Sequence, residues 1–115
     1  DSNQRFAMSR AKGNLAEDKA AAFLQHNNFC ILARNFYTRF GEIDIIASKH
    51  NVLHFVEVKS GHNFEPIYAI TPKKLERILK SAHIYLNTTQ SKQNYCIDAL
   101  LVRGDICELV ENITF

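Results

Sequence analysis

A chain of 115 residues holds one domain, large enough for a real hydrophobic core but not for two. Hydrophobic residues at 46% with 23% charged exclude global disorder, and a net charge of 14 − 12 = +2 is too small to mark a nucleic-acid binder by itself. No stretch reaches transmembrane length and the first residues are too polar for a signal peptide, so no membrane association and a cytoplasmic location are expected. Cys30, Cys96 and Cys107 are odd in number, widely spaced and lack a C-x-x-C pair. Two could pair in an oxidising compartment, but they read as thiols of a reducing one. The five histidines are scattered without ligand spacing around them, so no zinc site follows from the sequence.

In chain order, about residues 1–8 read as a disordered lead-in to a single domain spanning 1–115. Residues from about Ser9 to His26 read as a helix, because Ala16, Ala20, Phe23 and Leu24 recur at helical spacing and Asn27-Asn28 supply a stop. Phe29 to Tyr37 reads as a strand. Two apolar segments follow, Gly41–Ala47 and Val52–Lys59, separated by the polar turn Ser48-Lys49-His50-Asn51. Ser60 to Ile70, with Gly61 and Pro66, reads as a loop. Thr71-Pro72 opens a second helix as N-cap and first helical residue. Leu75, Ile78, Leu79, Ala82, Tyr85 and Leu86 form its buried face, and Lys73, Arg77 and Lys80 occupy another face with Lys74 beside them. Tyr95 to Val102 and Ile106 to Val110 are two further strands, joined by the turn Arg103-Gly104-Asp105. The order α-β-β-β-α-β-β places a helix between strands three and four, which predicts a crossover and hence a mixed α/β sheet flanked by helices.

Chemistry concentrates on the adjacent middle strands. Asp44 interrupts Ile43-Asp44-Ile45-Ile46, where a partly buried carboxylate is costly without a cation or donor. Glu57 and Lys59 lie two residues apart and share a face, with Val58 pointing away. Glu17 offers a third carboxylate from the first helix. Hard oxygen ligands of this kind suit Mg²⁺ or Mn²⁺ and can make a phosphodiesterase site. The spacing of Asp44 from Glu57-x-Lys59 also arises by chance, and strand-end charges are usually just solvated. Glu42 is read as structural or solvent-facing, turned away from Asp44. Lys73, Lys74, Arg77 and Lys80 are candidate phosphate contacts, or simply the solvated face of an amphipathic helix. His54 reads as a satisfied or exposed histidine, and Asp98 as a structural hydrogen-bonding residue.

The run Gly41-Glu42-Ile43-Asp44-Ile45-Ile46-Ala47 with Phe55-Val56-Glu57-Val58-Lys59-Ser60 resembles the YraN-like family of small bacterial proteins classed as endonucleases, a branch of the PD-(D/E)XK nuclease superfamily that also holds the archaeal Holliday-junction resolvases. The likeness extends back through Gly13, Glu17, Ala20, Leu24 and Ile31–Asn35, and forward to Ile97-Asp98 and the ending Glu111–Phe115. Where that family carries an Arg after the Glu-x-Lys motif this chain reads Ser60-Gly61-His62, and Asn28 stands where a glycine usually ends the first helix. The resemblance implies a restriction-endonuclease-like αβββαβ core and hydrolysis of DNA phosphodiester bonds, with branched or structured DNA suggested by the resolvases. It further implies that Asp44, Glu57 and the backbone carbonyl of Val58 hold Mg²⁺ or Mn²⁺, with Glu17 completing the site through water. Lys59 would orient the attacking water, and the neighbouring carboxylates are expected to raise its pKa and keep it charged. DNA is the expected partner and a homodimer a further expectation. The alternative is a non-catalytic nucleic-acid- or partner-binding module that retains the nuclease fold.

Overall fold

The computed structural model describes residues 15–61 and 70–113. Helix α1 occupies residues 15–26. It is followed by β1 (Cys30–Thr38), β2 (Gly41–Lys49), β3 (Val52–Ser60), α2 (Pro72–Thr89), β4 (Asn94–Arg103) and β5 (Ile106–Val110). The expected lead-in at residues 1–8, the start of the expected first helix at 9–14 and most of the expected loop at 60–70 lie outside the described residues.

The five strands form one sheet in the order β1-β2-β3-β4-β5. Every neighbouring pair is antiparallel except β3 and β4, which run parallel because α2 carries the chain back between them. The αβββαβ arrangement and mixed sheet expected from the element order are therefore present.

Alternation along the strands loads both faces of the sheet. On one face Ala16, Ala20, Ala21 and Leu24 of α1 pack with Ile45, Ala47, Val56, Leu100 and Val102. On the other, Ile78 and Ala82 of α2 pack with Ile43, Ile46, Leu53, Phe55 and Ile97, edged by Leu75, Leu79, Tyr85 and Leu86. A sheet buried on both faces accounts for the nearly continuous apolar runs in β2 and β4, which a one-sided sheet would have replaced by strict polar alternation.

The connections follow the local chemistry. The β2–β3 turn needs only His50 and Asn51, at φ 52° and 63°, so both strands reach further than the four-residue turn read from polarity. Two consecutive positive φ values match the twist that a tight hairpin requires. Asn28 takes φ 69° at the end of α1, which is the left-handed conformation a glycine would supply there. Thr71 caps α2 as expected, its hydroxyl accepting from the Lys74 N–H at 3.1 Å, with Pro72 in the first turn. Thr38 and Ser81 join β1 to α2 through a 2.7 Å hydroxyl pair.

Because this cap fixes the first turn of α2, Thr71→Ala should lower stability by about 1 kcal/mol. Thermal denaturation should then show a melting temperature lower by roughly 4 °C for a domain of this size. An unchanged melting temperature would show that the cap contributes nothing.

Candidate functional site

Ladder pairing between β2 and β3 runs from Lys49↔Val52 to Ile45↔Val56 and stops there. The next residue along β2 is Asp44, and its side chain replaces the missing rung: Asp44 Oδ2 accepts the Val58 backbone N–H at 2.8 Å. The local break also shows in the packing, since Ile43 and Ile46 face α2 whereas Ile45 and Ala47 face α1. On the other side of β2, Asn35 has φ 53° and makes no pair of its own in the β1–β2 ladder, whose register is the same at Arg34↔Ile45 and Phe36↔Ile43. Asparagine tolerates this left-handed conformation better than most residues. The sheet therefore opens around Asp44, and polar side chains from α1, β1, β2, β3 and α2 enter the opening.

Carboxylate oxygens of Glu17, Glu42 and Asp44 lie within 4.8 Å of one another. Asn35 Nδ2 bridges two of them, donating to Glu17 Oε1 at 2.9 Å and also to Glu42 Oε1. Glu42 thus belongs to the cluster, which corrects the expectation that it turns away from Asp44. Alternation breaks between Ile43 and Ile45, so the position of Glu42 comes from the local geometry of the opening rather than from strand spacing. Glu57, only 7% exposed, is directed instead at the amines. Its Oε1 lies 2.8 Å from Lys74 Nζ and 4.0 Å from Lys59 Nζ.

Burial pushes the Asp44 carboxyl upward, and the negative charges of Glu57, Glu17 and Glu42 add to the shift. Donation from the Val58 N–H acts in the opposite direction, and the result is a pKa of about 8. Lys59 is shifted down, first by burial and then by its hydrogen bond to Lys74 and that ammonium's charge. Glu57 and Asp44 oppose the shift without overcoming it. The carboxylates do push the Lys59 pKa up as expected, but the net shift is reversed by burial and by a second cation from a helix distant in sequence. Lys74 moves the other way: burial disfavours its charge, but hydrogen bonds to Glu57 and Lys59 and the charges of Glu57 and Asp44 prevail. Lys74 therefore holds its proton more tightly than an ordinary lysine and Lys59 less tightly.

The four basic residues assigned to one row on α2 occupy different surroundings. Lys74 is half-buried on Glu57. Lys80 pairs with Glu76 at 3.2 Å and sits 5.2 Å from the Phe40 ring centre. Arg77 lines a cleft of about 130 Å³ with Lys74, Phe40, Gly41 and Glu42, while Lys73 is exposed. Sequence reasoning placed Lys74 in the row but not in the site, and it did not find Asn35 as a bridging residue. The N-cap at Thr71 fixes Lys74 in the first turn of α2, facing the sheet, and that was the available signal.

The donor set suits a hard divalent cation. Three oxygens converge, a fourth carboxylate stands next to them, and like charges at this separation repel unless a cation or proton lies between them. At Val58 the structure shows the N–H contact to Asp44.

A profile described as uncharacterised protein family UPF0102 matches residues 16–108. A UPF0102 protein of Wolinella succinogenes is 61% identical over 107 residues, covering 93% of this chain and 99% of its own. One from Helicobacter hepaticus is 57% identical over 106 residues, covering 92% and 96%, and one from Helicobacter pylori strain HPAG1 is 55% identical, covering 92% and 93%. With Glu17, Asn35, Glu42, Asp44, Glu57, Lys59 and Lys74 all inside the matched span, the chain belongs to the UPF0102 family, the YraN-like family that its motifs resemble.

Proposed function

We propose that the protein is a metal-dependent endonuclease that hydrolyses DNA phosphodiester bonds, with branched or structured DNA as the substrate class to test first. The observation that carries this reading is the opening at Asp44, where Glu17, Glu42 and Asp44 converge beside Glu57, Lys59 and Lys74. Asp44 and Glu57, with the Val58 carbonyl, would hold Mg²⁺ or Mn²⁺, and Glu17 and Glu42 would act through water or directly. The chemistry such an ion supplies is polarisation of a phosphoryl oxygen and a lowered pKa for bound water.

The remaining roles belong to the protein's own groups. Lys59, 4.0 Å from Glu57, orients the attacking water, and its lowered pKa eases proton exchange with that water. Lys74, held as an ammonium, stabilises charge developing on the phosphate. Asn35 keeps Glu17 and Glu42 aligned through its amide. Arg77 and Lys73 extend the positive surface along the DNA backbone. No helix among the described residues is long and apolar enough to cross a membrane. A DNA substrate and three free cysteines accord with work in the cytoplasm.

A second reading is a non-catalytic DNA- or partner-binding module. The Lys74–Glu57 pair favours it, because an internal counter-ion already balances one of the carboxylates.

Cleavage assays on linear, nicked, flapped and four-way DNA with Mg²⁺ or Mn²⁺ separate the two. Lys59→Ala should lose cleavage by about a hundredfold or more while keeping metal affinity, as expected for a group that acts on water. Asp44→Asn and Glu57→Gln should each weaken Mn²⁺ binding in calorimetry. A wild type that cuts no member of the panel would move the binding-module reading ahead.

The Asp44 shift also predicts a pH-dependent stability of the metal-free protein. Its folded pKa of about 8 exceeds the ordinary 3.8, so the native state holds the proton more tightly than the unfolded chain. That contribution is fully present below 3.8 and is lost as pH rises through about 8. Asp44→Asn should therefore raise the apo melting temperature more at pH 8.5 than at pH 4. Equal shifts at both pH values would contradict the crowding of charge at Asp44.

DNA affinity, followed by fluorescence anisotropy, should rise with Ca²⁺ and fall steeply with salt. The double variant Lys73→Ala, Arg77→Ala should flatten the slope of log affinity against log salt by about 2, close to one for each phosphate that these two cations neutralise. An unchanged slope would remove this end of α2 from the DNA-binding surface.

A further inference from the structure

At the opposite end of β3, on the α1 face of the sheet, a second polar group is buried. The parallel register sets His54 directly beside Cys96 and Val56 beside Asp98, so alternation turns His54, Cys96 and Asp98 to the same side. His54 Nδ1 lies 2.6 Å from Asp98 Oδ2 and 3.2 Å from Cys96 Sγ, and Cys96 Sγ lies 3.3 Å from Asp98 Oδ1. One nitrogen, one sulfur and one oxygen thus form a compact triangle with all donor atoms within 4.8 Å. Asp98 is 0% exposed and His54 5%.

The surroundings orient this triangle. Asn112 donates its backbone N–H to Asp98 Oδ1 at 2.9 Å, and Phe29 meets the His54 ring edge-on with centroids 4.9 Å apart. A cleft of about 400 Å³ opens onto His54 and Cys96, with Lys49, His50, Glu111 and Asn112 on its walls. The cleft gives a route from solvent, and Glu111 borders the side from which a fourth ligand would enter.

We propose that His54, Cys96 and Asp98 form a zinc site, distinct from the carboxylate cluster around Asp44. Mixed sulfur, nitrogen and oxygen donors suit Zn²⁺ rather than the Mg²⁺ or Mn²⁺ preferred by all-oxygen sites. Tetrahedral zinc bonds of about 2.0 to 2.3 Å set neighbouring ligand atoms about 3.3 to 3.6 Å apart, so the two sulfur contacts barely change while His54 and Asp98 separate by about 0.7 Å. Binding releases the Cys96 thiol proton to solvent and leaves the neutral His54 ring protonated at Nε2, so that Nδ1 ligates while thiolate and carboxylate balance the dication. Asn112 remains on Asp98 as the outer partner that fixes the carboxylate. The ion would clamp β3 to β4 and to the chain segment at Asn112.

Cobalt substitution in the full chain tests this, because only a thiolate ligand produces a sulfur-to-metal charge-transfer band. Chelator-treated wild type should bind one Co²⁺ with that near-ultraviolet band, and Zn²⁺ should displace it. The variant Asp44→Asn, Glu57→Gln should keep the band in full, separating this site from the carboxylate cluster. Cys96→Ser should lose it and weaken Zn²⁺ affinity by at least about tenfold, as loss of even an outer partner can do. Should Cys96→Ser fail to fold, the variant Cys30→Ser, Cys107→Ser leaves Cys96 as the sole thiol and should still develop the band. A folded wild type without the band overturns the proposal. So does a band that persists in Cys96→Ser or disappears from the chain whose sole thiol is Cys96.

Discussion

The bond from the Val58 N–H to Asp44 is the interaction on which the rest of the candidate site depends. A strand pair that continued past Ile45↔Val56 would have joined backbone to backbone and left no opening. A carboxylate takes the place of a carbonyl instead, so the sheet keeps its hydrogen bond while the strands part. A buried N–H left without a partner would be costly, and the carboxylate avoids that cost. The same substitution fixes one oxygen of Asp44 and leaves its charge to the other groups in the opening.

Four acidic groups around one opening are unstable as neighbours unless something offsets them. Two offsets are the Asn35 amide on Glu17 and Glu42 and the Lys74 ammonium on Glu57, and the raised Asp44 pKa of about 8 favours a third, a proton there. Only Lys74 brings a full charge. Burial and then the Lys74 ammonium lower the pKa of the adjacent Lys59, so Lys74 both neutralises an acid and helps loosen the proton on its neighbour. That coupling joins α2, the crossover helix, to the chemistry of β3. A helix placed there only to connect two parallel strands would have no need of a lysine in its first turn aimed at the sheet.

Much of this was legible in the chain before folding. The helical spacing of Ala16, Ala20, Phe23 and Leu24, the cap at Thr71 and the helix between strands three and four were enough for the αβββαβ order and the mixed sheet. Asp44, Glu57 and Lys59 declared themselves because charges interrupting apolar strands are expensive. What stayed hidden depended on distance in space. Lys74 meets Lys59 across a stretch of sequence that includes residues outside the described set, so the sign of the Lys59 shift could not be read from its own strand. Asn35 required a left-handed residue inside a strand, which periodicity does not report. Glu42 was misread as turned away from Asp44, because alternation breaks between Ile43 and Ile45.

The histidine group shows the same limit in stronger form. Spacing rules for metal ligands describe residues close in sequence, whereas His54 and Cys96 are 42 positions apart and meet as register partners. The ladder itself brings them together, so a slip of one residue between β3 and β4 would turn one partner to the opposite face and separate them. The apolar side chains resist such a slip, because Phe55 and Ile97 must stay on the α2 face while Val56 remains on the α1 face. The packing that fixes the fold therefore also fixes the triangle. Three residues of strand, about 10 Å, separate His54 from Glu57. The β3–β4 pair thus carries nitrogen, sulfur and oxygen donors at one end on one face, while β3 presents a carboxylate and an amine at the other end on the opposite face. That division follows from alternation and parallel register, with no loop required to build either group.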